Sequence, residues 1–145
     1  MKTSPRGLAL IEQFEGLKLQ AYQDQAGIFT IGFGHANAHQ GQFETQEQAQ
    51  DDLCADLGTA EEAVSRLVQV PVNQNQFDAL VSFTFNEGQG RLKGSTMLRL
   101  LNSGNPQLAA NEFPKWDIVA GTPSEGLLRR RVAEQTLFLT PEAST

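Results

Sequence analysis

Along the chain, the spacing of hydrophobic positions switches between the period of a helix and that of a strand. Ser4 followed by Pro5 reads as an N-cap with proline at the first helical position, and Leu8, Ile11 and Phe14 then recur along one face. Gly16 ends this first helix. From Leu17 to Gly34 the pattern changes to the β-prone pieces LQAYQ and IFTIGF, joined by DQAG, which predicts a hairpin, with a third short strand before Phe43. Thr45 with Gln48 is a capping-box pattern opening a second helical region, whose buried stripe is Ala49, Leu53, Leu57, Ala60, Val64 and Leu67, with Gly58 and Thr59 as the place where it can bend. Asn73 with Gln76 repeats the box ahead of QNQFDALVSFTFN, the most hydrophobic stretch, whose apolar face of Phe77, Leu80, Val81 and Phe85 predicts a core helix. Ser95 caps TMLRLLN, which stops at Gly104. Asn105 and Pro106 start a helix expected to stop at Pro114, and a last helix runs from about Ser124 to Phe138.

Helices dominate and the β-structure is confined to the N-terminal third. This predicts an α+β architecture, a small antiparallel hairpin lobe beside a larger helical lobe, with a cleft between them as the natural site for an extended ligand. At 145 residues, 39% of them hydrophobic and 19% charged, the chain fits one domain over residues 1–140 with a frayed tail at 141–145. The single cysteine, Cys54, excludes an intrachain disulfide and reads as a small structural residue of a helix. The opening MKTSPRGLALIEQFEG lacks the apolar core of a signal peptide, and no stretch is long enough to span a bilayer. Synthesis in the cytoplasm, without an export signal on this chain and without membrane insertion, is the expectation.

A net charge of −6 and a pI near 4.8 count against nucleic acid, which needs clustered Lys and Arg to release counterions. The one basic cluster, Arg129, Arg130 and Arg131, lies within a predicted helix, where successive side chains point about 100° apart and cannot form one flat patch. Glu125 and Glu134 stand at helical spacing from Arg129 and Arg130, so one or two of the arginines are expected to be structural ion-pair partners.

The candidate chemistry lies in EGLKLQAYQDQAGIFTIGFGH, residues 15–35. Glu15 ends the first helix, Asp24 opens the hairpin turn, and Thr30 starts TIGFGH, whose glycines let the backbone pass close to a ligand. A carboxyl at the negative end of a helix macrodipole tends to hold its proton, which is what a general acid needs, while a carboxylate in a polar turn stays ionised. Two carboxyls set apart in this way are the acid and base pair of a glycosidase, and the Thr30 hydroxyl adds a group that can hold a water beside Asp24. Taken singly, a surface Glu, a turn Asp and a strand Thr are ordinary. Their joint spacing is not.

That spacing, a Glu, an Asp nine residues on and a Thr six beyond, resembles the phage-type lysozyme (endolysin) family. QNQFDALVSFTFNEGQGRLKGSTMLRLLNSGN is similar to its central block, and WDIVAGTPSEGLLRRRVAEQTLF to its C-terminal block, with Trp116, Ala120–Gly121, Gly126–Leu127 and Arg129–Arg130 in order. Glu87 departs from the pattern, because relatives often carry an aliphatic residue there. The resemblance implies a muramidase that hydrolyses the β-1,4 bond between N-acetylmuramic acid and N-acetylglucosamine, without metal or cofactor and with inversion. Glu15 would protonate the leaving oxygen while Asp24 and Thr30 position the attacking water. Phe85 and Asn86 would line the cleft, Asn86 having donors and an acceptor for an acetamido group, although Phe85 reads equally well as a core aromatic. The implied partner is the glycan strand of peptidoglycan, met by a monomer in the bacterial periplasm after release or delivery by another factor. A lytic transglycosylase, which needs only the acid, and an antibacterial toxin domain of the same fold are the alternatives. His35 and His39 have a zinc-helix spacing, but no third ligand or catalytic Glu accompanies them, and His35 is expected to tie the hairpin lobe to a neighbouring carboxylate.

Overall fold

The computed structural model describes residues 1–36 and 38–142, so the last part of the expected tail, residues 143–145, lies outside the described residues. The chain forms two compact units, one of Ile11–Thr59 and one that combines Met1–Leu10 with the chain from Ala60 onward.

In the unit of residues 11–59 the C-terminal part of α1 (Pro5–Glu15) leads into β1 (Lys18–Gln23), β2 (Phe29–Gly32) and β3 (His35–Ala36), followed by the first half of α2 (Gln46–Leu67). The strands form one antiparallel sheet in the order β1-β2-β3. Tyr22 pairs with Thr30 and Gln23 with Phe29, whereas the next pair is Lys18 with Gly32, so β1 carries extra residues in a bulge. A bulge bends and twists its strand. Gln20 also bridges Phe43, the third strand position expected from the sequence being realised as β3 together with this bridge. Ile11, Ile31, Phe33, Ala49, Leu53 and Leu57 are buried here. Each such side chain contributes about 1.5–3 kcal/mol by leaving water when fully buried as a Leu, Ile or Phe. The capping box forms as read, Thr45 N–H donating to Gln48 Oε1 at 2.8 Å and Gln48 N–H to Thr45 Oγ1 at 3.1 Å. The helix it opens is continuous through Gly58 and Thr59, and Cys54 lies exposed on it.

The other unit is helical: α3 (Gln74–Glu87), α4 (Gln89–Lys93), α5 (Thr96–Asn102), α6 (Pro106–Ala110), a 3-10 turn at Phe113–Lys115, the two-residue strands β4 (Ile118–Val119) and β5 (Thr122–Pro123), and α7 (Glu125–Leu139). Asn73 and Gln76 form the second capping box, and Ser95 and Ser124 cap α5 and α7 through Leu98 N–H and Leu127 N–H. α3 is buried on every side from Phe77 to Thr84, the signature of a helix at the centre of a core. Its apolar face differs from the expected one at a single turn. Phe83 is fully buried, with its ring edge-on to Phe113 at 5.9 Å and to Trp116 at 5.3 Å, while Phe85 is only half-buried. The helix expected to reach Pro114 ends at Ala110. Pro114 instead occupies the first turn of the 3-10 segment, where a missing N–H costs nothing. Among the described residues no helix is long and apolar enough to cross a membrane.

Candidate functional site

Glu15, Asp24 and Thr30 all belong to the unit of residues 11–59. Glu15 is the last residue of α1, and its carboxylate lies against the backbone of the TIGFGH loop. A Cβ placed on Gly34 would stand 3.3 Å from Glu15 Oε2, and Gly34 has a φ of +80°, so the loop passes the acid at a position suited to glycine on two counts.

Asp24 and Thr30 are joined through one residue. Asp24 Oδ1 accepts the backbone N–H groups of Ala26 at 2.8 Å and Ile28 at 2.9 Å. Ile28 C=O in turn accepts the Asp24 N–H at 2.9 Å and the Thr30 hydroxyl at 3.1 Å. The turn thus spends one carboxylate oxygen of Asp24 and the hydroxyl proton of Thr30 on its own structure. What remains is Oδ2 of an exposed carboxylate and the lone pairs of a buried hydroxyl, two acceptors suited to a water that donates both its protons.

Three acids and a histidine lie against this loop. His35 Nδ1 lies 2.8 Å from Asp56 Oδ2, the carboxylate tie expected from the sequence, and that hydrogen bond, together with the charges of Asp56, Asp52 and Glu44, raises the His35 pKa despite partial desolvation. His39 is exposed and its backbone N–H donates to Gln42 Oε1. Gly32, at φ +67°, is closed over by Glu44: a Cβ there would overlap Glu44 Oε1, an oxygen that is buried without a hydrogen-bond partner. Burial pushes the Glu44 carboxyl up, and its hydrogen bond and repulsion with Asp52 add to the shift. Sequence reading missed Glu44. Its only signal was an acid directly ahead of a capping box, too common to single out.

Phe85 and Asn86 belong to the helical unit, at the C-terminal end of α3. Asn86 is exposed, but its amide is not free to turn, because Oδ1 accepts from Arg131 Nη2 at 2.5 Å. The NH2 group is therefore the face that Asn86 offers. Arg131 is fully buried, stands 5.1 Å over the Phe83 ring, and is held by Glu134 Oε1 at 3.0 Å and Glu87 Oε1 at 3.4 Å. Arg130 pairs with the same Glu134 at 3.3 Å, and Ser82 donates its hydroxyl to Glu134 Oε2 at 2.5 Å. Burial pushes the Glu134 carboxyl up and the Arg131 guanidinium down, each opposed by the other's charge. Two of the three consecutive arginines are thus structural, while Arg129 is exposed and forms no ion pair with Glu125 among the described residues. Glu87 joins this network and also pairs with Arg91 at 2.7 Å.

Residues 12–134 match the family model described as phage lysozyme. The chain is 46% identical to the endolysin of Bacillus phage B103 over 99% of its own length, and it spans about 56% of the length of that relative. It is 43% identical to the endolysin of Salmonella phage P22, covering 96% of this chain and 99% of that protein. Among solved structures, the muramidase domain of SpmX from Asticaccaulis excentricus superposes with a TM-score of 0.91 at 43% identity, over 97% of this chain and 99% of that one. A mutant of P22 lysozyme gives the same TM-score of 0.91 at 42% identity and the same coverage.

Proposed function

The chain belongs to the phage lysozyme family, and from that membership and the geometry around Glu15 we propose that it is a muramidase, hydrolysing the β-1,4 bond between N-acetylmuramic acid and N-acetylglucosamine in peptidoglycan. The observation that carries this reading is the division of labour in one turn. Asp24 and Thr30 are fixed by the same Ile28 peptide groups and each keeps an acceptor for water, while Glu15 is held separately at a helix end beside Gly34.

In the proposed reaction Glu15 donates its proton to the glycosidic oxygen as the bond to the anomeric carbon breaks. A water between Asp24 Oδ2 and Thr30 Oγ1 attacks the opposite face and gives its proton to Asp24, so the product is inverted. A retaining glycosidase would place its second carboxylate where this water stands and would have no use for the hydroxyl. Asn86, with its carbonyl committed to Arg131, would donate its N–H groups to a carbonyl oxygen of the substrate. The reaction needs no metal and no cofactor. The site of action is the periplasmic cell wall, reached after release by another factor, as a monomer acting on single glycan strands.

Glu15→Gln tests the assignment: the amide is nearly isosteric but has no acidic proton, so clearing of permeabilised Gram-negative cells should fall at least a hundredfold with the melting temperature unchanged. Activity within threefold of wild type would remove Glu15 from the mechanism. Mass analysis of digested peptidoglycan separates hydrolysis, which leaves reducing muramic ends, from the transglycosylase reaction, which leaves anhydro ends. Proton NMR of the first product formed reads inversion from its α anomer.

A further inference from the structure

Helix α2 opens behind an acid that stands in a place suited to an apolar side chain. With Thr45 as N-cap, the residue ahead of it is Glu44 and the fourth helical residue is Ala49, the two positions that a hydrophobic staple brings together. Ala49 is fully buried. Glu44 takes the staple position with a carboxyl group, whose Oε1 is buried and accepts no hydrogen bond. A Cβ built at Gly32 would stand 3.1 Å from Ala49 Cβ and overlap Glu44 Oε1, so the acid, the alanine methyl and the last residue of β2 close around a single point.

The backbone around Glu44 is tied to the same strand pair. Between the pairs Lys18–Gly32 and Tyr22–Thr30, residues 19–21 of β1 leave β2 and bond instead to the segment ahead of α2: Ala21 N–H donates to Gln42 C=O at 2.8 Å, and Glu44 N–H to Leu19 C=O at 2.9 Å. Glu44 thus holds the β1 bulge through its backbone and covers Gly32 through its side chain. Gly32 is two residues from Thr30 and two from Gly34, the glycine beside Glu15. A neutral carboxyl suits this place, because its O–H donates to Asp52 and its carbonyl oxygen tolerates a dry contact better than a carboxylate does. An ionised one finds no donor at Oε1 and meets a second negative charge. The titratable groups that face Glu44 are Asp52 of α2 and His35 of β3, with Asp56 paired to His35; β2 carries no titratable side chain, and Lys18 of β1 is exposed. The His35 cation favours ionisation of Glu44, so its loss as pH rises leaves burial and Asp52 to hold the proton in place.

We propose that Glu44 is a positioning residue for the reaction: its protonated carboxyl latches Gly32 and so holds the TIGFGH loop in the form that sets Thr30 and Gly34, and its ionisation releases the latch. The effect on turnover rests on the muramidase reading given above, whereas the latch itself is a property of the fold. On ionisation the proton passes to water, and the carboxylate, on a residue that is only half-buried, turns away from Gly32 to be hydrated. The alkaline limit of activity is then set by Glu44 as well as by loss of the Glu15 proton, although Glu44 touches none of the reacting atoms.

Two variants separate the proton from the packing. Glu44→Gln keeps a donor for Asp52 and cannot ionise, and Glu44→Leu completes the staple with an apolar side chain. The amide signals of Thr30, Gly32 and Gly34, followed by NMR from about pH 4 to about pH 9, should move through one shared step above the ordinary glutamate range in wild type. Both variants should lack that step, while the steps due to Glu15 and His35 remain in all three proteins. For turnover, the ratio of the Glu44→Gln to the wild-type kcat on peptidoglycan cancels the ionisation of Glu15 and should rise at least threefold through the same midpoint, with KM unchanged. Should Glu44→Gln not fold, Glu44→Leu carries both comparisons. A step that persists in either variant, or a kcat ratio that stays flat with pH, would overturn the latch. Wild-type protein that shows the NMR step but cleaves peptidoglycan at no pH would instead remove the muramidase reading and leave the latch standing.

Discussion

Asp24 divides its two carboxylate oxygens between folding and the proposed chemistry. Oδ1 satisfies two backbone N–H groups of the turn, leaving Oδ2 for a water. Asparagine keeps an acceptor for the turn and loses the base, whereas alanine loses both. Asp24→Asn should thus keep its stability within about 0.5 kcal/mol while its lytic rate falls at least a hundredfold, and Asp24→Ala should in addition lose about 1–3 kcal/mol through the stranded N–H groups. Urea unfolding of both variants beside their clearing rates checks the split, and equal stability of the two would mean that the turn does not depend on Oδ1. This part of the site was legible in the sequence because it is local: Glu15, Asp24 and Thr30 fall in one short stretch whose turn residues announce themselves. The orientation of Asn86 was not, since its fixing partner Arg131 lies 45 residues further on and nothing in either neighbourhood points to the other.

Helix starts read well from the sequence. Thr45 with Gln48, Asn73 with Gln76, Ser95 and Ser124 all form the caps their residue types suggest, because a cap is decided within four residues. Short elements read poorly. α4 has five residues and carries no periodicity, and the β4–β5 hairpin is two residues a side around Ala120 at φ 50° and Gly121 at φ 81°. Its Ala-Gly pair served as a marker of the resemblance and was not recognised as the tight turn it makes. The pairing of α3 with α7 was likewise invisible, although its ingredients, Arg130, Arg131 and Glu134, were in view. Glu134→Gln removes the carboxylate shared by two buried guanidiniums and should cost about 3–5 kcal/mol. A loss below 1 kcal/mol in thermal or urea unfolding would mean that water reaches the guanidiniums in place of the acid.

For the molecule as a whole, the clearest pH response comes from the unit of residues 11–59. His35 has its pKa raised by Asp56, so the stabilisation from this pair is complete below about pH 6.5 and disappears as pH rises through the elevated folded value. Glu44, raised chiefly by burial, acts in the same direction, its contribution being complete below about pH 4.5 and lost as pH climbs through its own elevated value. Both make the unit weaker in alkali. Wild type should therefore lose more stability between pH 6 and pH 8 than His35→Asn does, by about 1 kcal/mol or less, because the pair is roughly one-third exposed and screened. Parallel melting curves for the two proteins across that range would show that the pair does not couple to folding. The exposed Cys54 sets a different kind of limit. With one thiol in the chain, disulfide formation has no partner inside the molecule and can occur only between two molecules or with a small thiol. Passage from a reducing to an oxidising compartment therefore has no internal crosslink to close, and disulfide formation between molecules of the pure protein must be second order in its concentration, slowing on dilution.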